Sequence, residues 1–233
     1  MSKKIPVGFQ TCERPEYLQE TVESFLEHNT RRDYELFYGD DASQDSEVKK
    51  IMKKYKVKCL VQNKERLGIG RTRDKLIHAI AKQTKAPYIM MLESDCKTIR
   101  PCPKKLVDAI FENKRIGIIR LFGKLKAQNF GCTNTDIIFG NQVNWSQIKI
   151  NYSVGKNDFE ENFEVGRIHW CFFPTITRTD LALYLVKDAT REGDAMKKMK
   201  GLKFVPRTAR PVGGLNNNFI VHIGKHKTPN RKH

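Results

Sequence analysis

Glu93, Ser94 and Asp95 follow directly on the wholly apolar run Tyr88 to Leu92. Two carboxylates one residue apart at the end of a buried strand repel each other unless a cation or hydrogen bonds offset the charge. A divalent ion is the simplest compensation. Hard oxygen ligands suit Mg²⁺ or Mn²⁺ holding a diphosphate, with the metal neutralising a leaving group. The alternative is that both acids simply cap the following turn. Further acids stand at Asp40, Asp41 and Asp45, at Glu192 and Asp194, and a histidine, His222, interrupts the apolar run Phe219 to Ile223.

The elements that must position these residues can be read from periodicity. Ile5, Val7 and Phe9 alternate as in a strand, and Pro15 opens a helix with Leu18, Val22, Phe25 and Leu26 at helical spacing. The unit recurs. Tyr34 to Tyr38 reads as a strand, Asp40 to Asp45 as a loop, and Val48, Ile51, Met52 and Tyr55 as an amphipathic helix. A strand over Val57 to Gln62, a loop over Asn63 to Gly70 and a helix carrying Leu76, Ile77 and Ile80 follow. The strand Tyr88 to Leu92, a helix through Leu106 to Phe111 and a strand over Ile116 to Phe122 complete the alternation.

Such alternation predicts an α/β fold with a mainly parallel sheet flanked by helices, whose ligands bind at the carboxyl ends of the strands. After about Lys124 the pattern changes. Short apolar runs at Ile137 to Phe139, Ile148 to Tyr152 and Ile168 to Phe173 suggest a smaller antiparallel region. Helices over Asp180 to Lys187 and around Asp194 to Met199 precede a last strand at Phe219 to Ile223. There is no internal repeat and no low-complexity tract.

The 233 residues carry 43 Lys and Arg against 26 Asp and Glu, a net charge of +17, which favours anionic partners: nucleic acid, nucleotide phosphates or an acidic membrane surface. From Ala195 onward there are ten Lys and Arg and no acid, so much of the excess is local. No stretch has the apolar length of a membrane span, and the first residues lack a signal-peptide pattern, so a cytoplasmic location is expected. Cys12, Cys59, Cys96, Cys102, Cys132 and Cys171 show no metal-binding spacing and read as reduced thiols.

Four motifs in order resemble the GT-A fold glycosyltransferases of the large family 2. Val7-Gly8-Phe9-Gln10-Thr11, continuing to Arg14-Pro15, is similar to the family's first nucleotide-binding strand, and Gly39-Asp40-Asp41-Ala42-Ser43-Gln44-Asp45 to its loop that meets the uracil of the donor. Asn63, Gly68 and Arg73-Asp74 resemble the segment whose arginine lies near the nucleotide, and Glu93-Ser94-Asp95 stands in the place of the metal triplet. Three departures occur: Glu93 replaces the first Asp of that triplet, Asp74 replaces an Asn, and the Pro before Thr11 is absent.

The resemblance implies one GT-A domain, with residues 1–123 binding a nucleotide sugar and 124–233 building the acceptor side. It implies donor contacts from Thr11, Glu13, Arg14, Asp40, Asp41, Arg73 and Ser94, and Mn²⁺ or Mg²⁺ on Asp95 and Glu93, completed by His222 or its rival His226. In inverting members a late acid is the catalytic base; Arg191-Glu192-Gly193-Asp194-Ala195-Met196 resembles that element, with Asp194 as base and Glu192 as its substitute. For Arg73 the alternative is a surface residue paired with Asp74 or Glu65; for Asp194, an ordinary acid at a helix start; and for His222, a core histidine satisfied by hydrogen bonds.

The acceptor must come from charge. An acid-free basic segment suits a polyanion, so DNA is the expected acceptor, contacted by Lys197, Lys198, Arg207, Arg210, Lys225 and Lys227, with Trp170 available to stack or to join the core. Because ordinary bases offer no free hydroxyl, the target would be a 5-hydroxymethylpyrimidine of the kind found in phage DNA, read in the major groove or flipped out. The competing readings are an envelope-polysaccharide or lipopolysaccharide glycosyltransferase at a membrane surface, and a catalytically silent nucleic-acid-binding module.

Overall fold

The structure, a computed structural model, describes residues 4–122, 137–138, 141–142, 145–166, 174–189, 192–202, 207–212 and 217–223. Three βα units lead the chain: β1 (Ile5–Thr11) and α1 (Pro15–His28), β2 (Tyr34–Asp40) and α2 (Ser46–Lys54), β3 (Lys58–Gln62) and α3 (Ile69–Thr84). β4 (Tyr88–Glu93), β5 (Cys96–Thr98), α4 (Lys104–Glu112) and β6 (Ile116–Arg120) follow. Strands β3, β2, β1 and β4 lie parallel in that order. The chain therefore steps outward from β1 and returns to its other side, which puts a switch point between the carboxyl ends of β1 and β4.

The order of these strands follows from burial. Every residue of β1 is buried, as a central parallel strand covered on both faces requires. One face packs on α1, α2 and α4 through Phe9, Leu18, Val22, Phe25 and Leu106; the other packs on α3 through Leu76, Ile77 and Ile80. Gly8 lets α3 approach closely, because a Cβ there would stand 2.8 Å from Met91 Sδ and 2.9 Å from Ile80 Cδ1.

The second half is less regular than the first. It contains β7 (Ile137–Ile138), β8 (Asn141–Gln142), β9 (Ser146–Val154), β10 (Asn157–Gly166), β11 (Thr175–Arg178), α5 (Thr179–Val186), α6 (Glu192–Gly201), β12 (Arg207–Pro211) and β13 (Ile220–His222). β11 enters the main sheet antiparallel between β4 and β6, β12 runs parallel to β6, and the β9–β10 hairpin extends the edge. The nine-stranded sheet is thus parallel at the leading end and mixed beyond it. The run Ile148 to Tyr152 forms the middle of β9, while the run Ile168 to Phe173 lies outside the described residues. β10 has the sequence NDFEENFEVG, too acidic to announce a strand; it is held by nine register pairs with β9 and by the Lys149–Glu160 ion pair across the hairpin.

Candidate active site

Backbone ladders assemble the acidic triplet and its neighbours. Gln10 and Glu93 are register partners on β1 and β4, and Thr11 is the partner of Asp40 on β2, so three strand ends meet in one crevice. Beyond β4 the turn is fixed from α1, where the Thr21 hydroxyl donates to the Ser94 carbonyl (2.8 Å) and accepts from the Cys96 amide (3.1 Å). β13 pairs antiparallel with β5, His222 opposite Cys96, and the Ile223 amide donates to the Asp95 carbonyl at 2.9 Å. This short ladder carries His222 to Asp95.

The two side chains meet with His222 Nε2 3.1 Å from Asp95 Oδ2, each 13% exposed, and the Arg14 guanidinium reaches the same oxygen at 3.5 Å. Burial pushes the Asp95 carboxyl up, but the hydrogen bond and charge of His222 and the charge of Arg14 outweigh it, leaving the group below the ordinary carboxylate range. The hydrogen bond to Asp95 likewise holds His222 above the usual imidazole value, against the opposing effect of burial. Arg14 and Glu13 both adopt left-handed backbone (φ 57° and 58°), a costly conformation for two consecutive non-glycine residues and one that clusters at ligand sites.

This pair fits a divalent cation. A carboxylate oxygen and an imidazole nitrogen are donors that Mg²⁺ or Mn²⁺ accepts, and the two stand side by side 3.1 Å apart, joined to each other by a hydrogen bond. Two protein ligands are also the number Mg²⁺ or Mn²⁺ commonly takes when diphosphate oxygens and water supply the rest. Among the described residues no group of three or more His, Cys, Asp or Glu side chains could hold an ion unaided. Glu93, expected beside the metal, instead faces Arg73: Oε1 lies 3.1 Å from the guanidinium NH2. Arg73 is fully buried, so it is not the surface residue of the alternative reading.

Asp40 and Asp41 sit differently. Asp41, 4% exposed, accepts hydrogen bonds from the Leu67 and Gly68 amides (2.8 and 2.9 Å), Asn63 Nδ2 (2.9 Å) and the Thr72 hydroxyl (2.8 Å). Burial raises its pKa, yet these four donors lower it by more. Three of these donors go to Oδ1 and one, the Gly68 amide, to Oδ2, so Oδ2 keeps acceptor capacity for a further donor. Gly68 provides the φ of +86° that turns its amide toward Asp41. Asp40 accepts from Gln62 Nε2 (2.6 Å) and from the amide and hydroxyl of Ser43. Glu13 ties three loops together through the Gln44 amide (2.9 Å), the Asp45 amide (3.3 Å) and Arg66 (2.8 Å), contacts that lower its pKa, the Gln44 amide most. Thr11 Oγ1 is buried with no hydrogen-bond partner. Asn63 and Leu67 also line an open pocket of about 580 Å³ with Gln62, Lys64, Glu65 and Lys75, within the size range of ligand sites.

On the acceptor side, α6 packs on α5 with Ala195 and Met199 buried and Asp194 partly buried. The side chain of Glu192 lies outside the described set. Lys197 and Arg207 are exposed, and Lys198 Nζ is 3.4 Å from the Tyr184 carbonyl. Arg210, expected among the DNA contacts, does not stand on an exposed basic surface. It is 2% exposed, paired with Glu164 at 2.7 Å and stacked 3.6 Å from the centre of the Trp145 ring, so its charge is neutralised inside the fold. Trp170, Lys225, Lys227 and His226 lie outside the described residues. Sequence reasoning missed Gln10 and Thr21, although a glutamine closing an otherwise apolar strand was a visible signal.

A family model described as glycosyl transferase family 2 matches residues 8–173. No curated protein matches the chain. Among solved structures, S. aureus TarS 1-349 in complex with UDP-GlcNAc is similar over 96% of this chain and 60% of that one, with 16% identity and a TM-score of 0.58. The same TarS fragment in complex with UDP gives 18% identity over 89% and 57%, with a TM-score of 0.55. S. aureus TarS itself gives 17% identity over 95% and 37%, with a TM-score of 0.59. The chain therefore spans less than two thirds of the structures it matches, and at these identities the likeness is one of fold.

Proposed function

The chain belongs to glycosyl transferase family 2, and on that premise we propose that it transfers a sugar, with inversion, from a nucleotide diphosphate donor to a hydroxyl on DNA bearing 5-hydroxymethylpyrimidines. The observation that carries the transferase reading is the Asp95–His222 pair at the switch point between β1 and β4. The donor is a UDP-sugar by analogy with the UDP and UDP-GlcNAc complexes of TarS.

In this reading Asp95 and His222 would hold Mn²⁺ or Mg²⁺, which would offset the charge on the departing diphosphate. Arg14, already at the same carboxylate, adds a permanent positive charge beside it. Asp41 shapes the Asn63–Gly68 loop against which the nucleoside lies and stands with Asp40 as its acidic contact, and Thr11 offers its unpaired hydroxyl at the floor. The bond between the anomeric carbon and the diphosphate breaks as the acceptor oxygen forms the new one. Asp194 takes the proton from that hydroxyl.

The DNA acceptor rests on the net charge of +17 and on the acid-free segment from Ala195. Lys197, Lys198 and Arg207, with Lys225 and Lys227, would neutralise phosphates, and Trp170 would stack on the acceptor. The test is to incubate the protein and Mn²⁺ with a panel of UDP-sugars and either unmodified or hydroxymethylated DNA, then weigh the digested nucleosides. The expected result is a hexose or pentose added to the hydroxymethylated nucleoside alone. Transfer to envelope glycans or to lipids on anionic vesicles, with none to DNA, would replace this acceptor. UDP-sugar binding without hydrolysis or transfer to any of them would leave a silent binding module.

A further inference from the structure

We propose that Gln10 and Glu93, joined through the buried guanidinium of Arg73, form a clamp that positions Asp95, and that Glu93 is therefore not a metal ligand; this rests on the reading of Asp95 and His222 as the cation site. Arg73, on α3, has no exposed surface. Its Nε donates to Gln10 Oε1 at 3.1 Å and its NH2 to Glu93 Oε1 at 3.1 Å. The two acceptors are register partners on neighbouring strands, so one guanidinium bridges the ends of β1 and β4. Gln10, 6% exposed, uses the other end of its amide as well, donating from Nε2 to the Ile69 carbonyl in the first turn of α3 at 2.6 Å. The circuit thus runs from α3 to β1, through Arg73 to β4, and ends two residues before Asp95.

Two of the sequence's departures from the family pattern meet here. A proline in place of Gln10 would offer no side-chain acceptor. An aspartate in place of Glu93 would withdraw the carboxylate by about 1.3 Å, one methylene along the chain, beyond hydrogen-bond reach of the guanidinium. Each substitution answers the same buried guanidinium, whose N–H donors need acceptors at the right reach once they are removed from water. Were Glu93 Oε1 to turn toward a metal ion, the Arg73 NH2 would lose that acceptor. The geometry therefore assigns Glu93 to the support of the turn and leaves the ion to Asp95 and His222.

The discriminating experiment is a rank order. Mn²⁺ binding in the presence of UDP is measured from the electron paramagnetic resonance of free Mn²⁺, well below each variant's melting temperature, for wild type, Glu93→Gln, Glu93→Asp and Gln10→Leu. Glu93→Gln keeps an acceptor at the right length and should bind within about threefold of wild type. Glu93→Asp keeps the charge but loses the reach, and should bind at least about tenfold more weakly, the usual scale for losing a group that orients a ligand. Gln10→Leu, which alters no candidate ligand, should weaken binding in the same direction. It stands in for Glu93→Asp if that variant fails to fold.

A metal-ligating Glu93 would reverse the order, because Asp ligates and Gln does so poorly; Glu93→Asp binding as well as or better than Glu93→Gln overturns the proposal. Melting temperatures that shift without any change in Mn²⁺ affinity overturn it too, since the clamp would then only support the fold. Wild-type Mn²⁺ binding by Asp95→Asn would refute the cation site itself. The clamp is then judged by melting temperature, where Glu93→Asp should lie below Glu93→Gln and the opposite order overturns it.

Discussion

The acids that close β2 and the acid two residues beyond β4 differ in who satisfies them. Asp41 receives two backbone amides, an amide side chain and a hydroxyl, all from the Asn63–Thr72 stretch. Asp95 receives a guanidinium and an imidazole, Arg14 and His222, brought from remote parts of the chain. Neutral donors fixed in a loop hold a carboxylate in place. Partners that carry or can take up positive charge can give way to another cation, and this supports the proposed role of Asp95. Acidic motifs of similar appearance thus differ in the chemistry of their partners.

The sharpest way to break this contrast is to neutralise each acid in turn. Asp95→Asn should lower transfer by more than about 10²-fold, the loss of a charge interaction worth several kcal/mol at the leaving group. Its stability should fall by less than in the Asp41 variant below, because the amide keeps the carboxylate's shape and one acceptor oxygen for His222 or Arg14. Rates with saturating donor and urea unfolding check the two halves. Asp41→Ala should do the opposite, costing about 3 kcal/mol of stability, because buried donors are stranded around a vanished charge. Equal stability losses in the two variants would erase the distinction.

A smaller effect sharpens the account of Asp95. His222 has a raised folded pKa, so in metal-free protein its pair with Asp95 contributes fully below the unfolded value of about 6.5 and is lost as pH rises through the folded value. The metal-free melting temperature should therefore fall over that window. Mn²⁺ requires neutral imidazole, so its stabilising effect should grow over the same window. Below it, apparent Mn²⁺ affinity should drop by about tenfold per pH unit, one proton being displaced per ion. A His222→Gln variant should flatten both trends, measured by thermal melts with and without Mn²⁺.

These contrasts also explain what the sequence could and could not tell. Strands β1, β2 and β4 were legible because a parallel strand buried on both faces is a local apolar run, and each ends in the polar residues that form the crevice. β10 was not legible, because its acidic residues are matched across the hairpin by partners on β9 and β12. Arg210 shows the consequence. Read along the chain it belonged to an acid-free basic segment, but register places it opposite Glu164 of β10, and the acid absent from its neighbourhood in sequence is present in space. The same holds for Arg73, whose partners Gln10 and Glu93 come from two strands. His222 was singled out by its position in an apolar strand, yet its contact with Asp95 depends on the three-residue ladder between β13 and β5.

In the proposed site Asp95, with His222, holds the cation to which the donor diphosphate binds. Calorimetric titration of UDP into wild type and Asp95→Asn, each with Mn²⁺ and with chelator, tests it most directly. Mn²⁺ should tighten UDP binding by at least about tenfold in wild type, a coupling of about 1.4 kcal/mol, and should change nothing in Asp95→Asn. UDP affinity in wild type that is the same in Mn²⁺ and in chelator would contradict it.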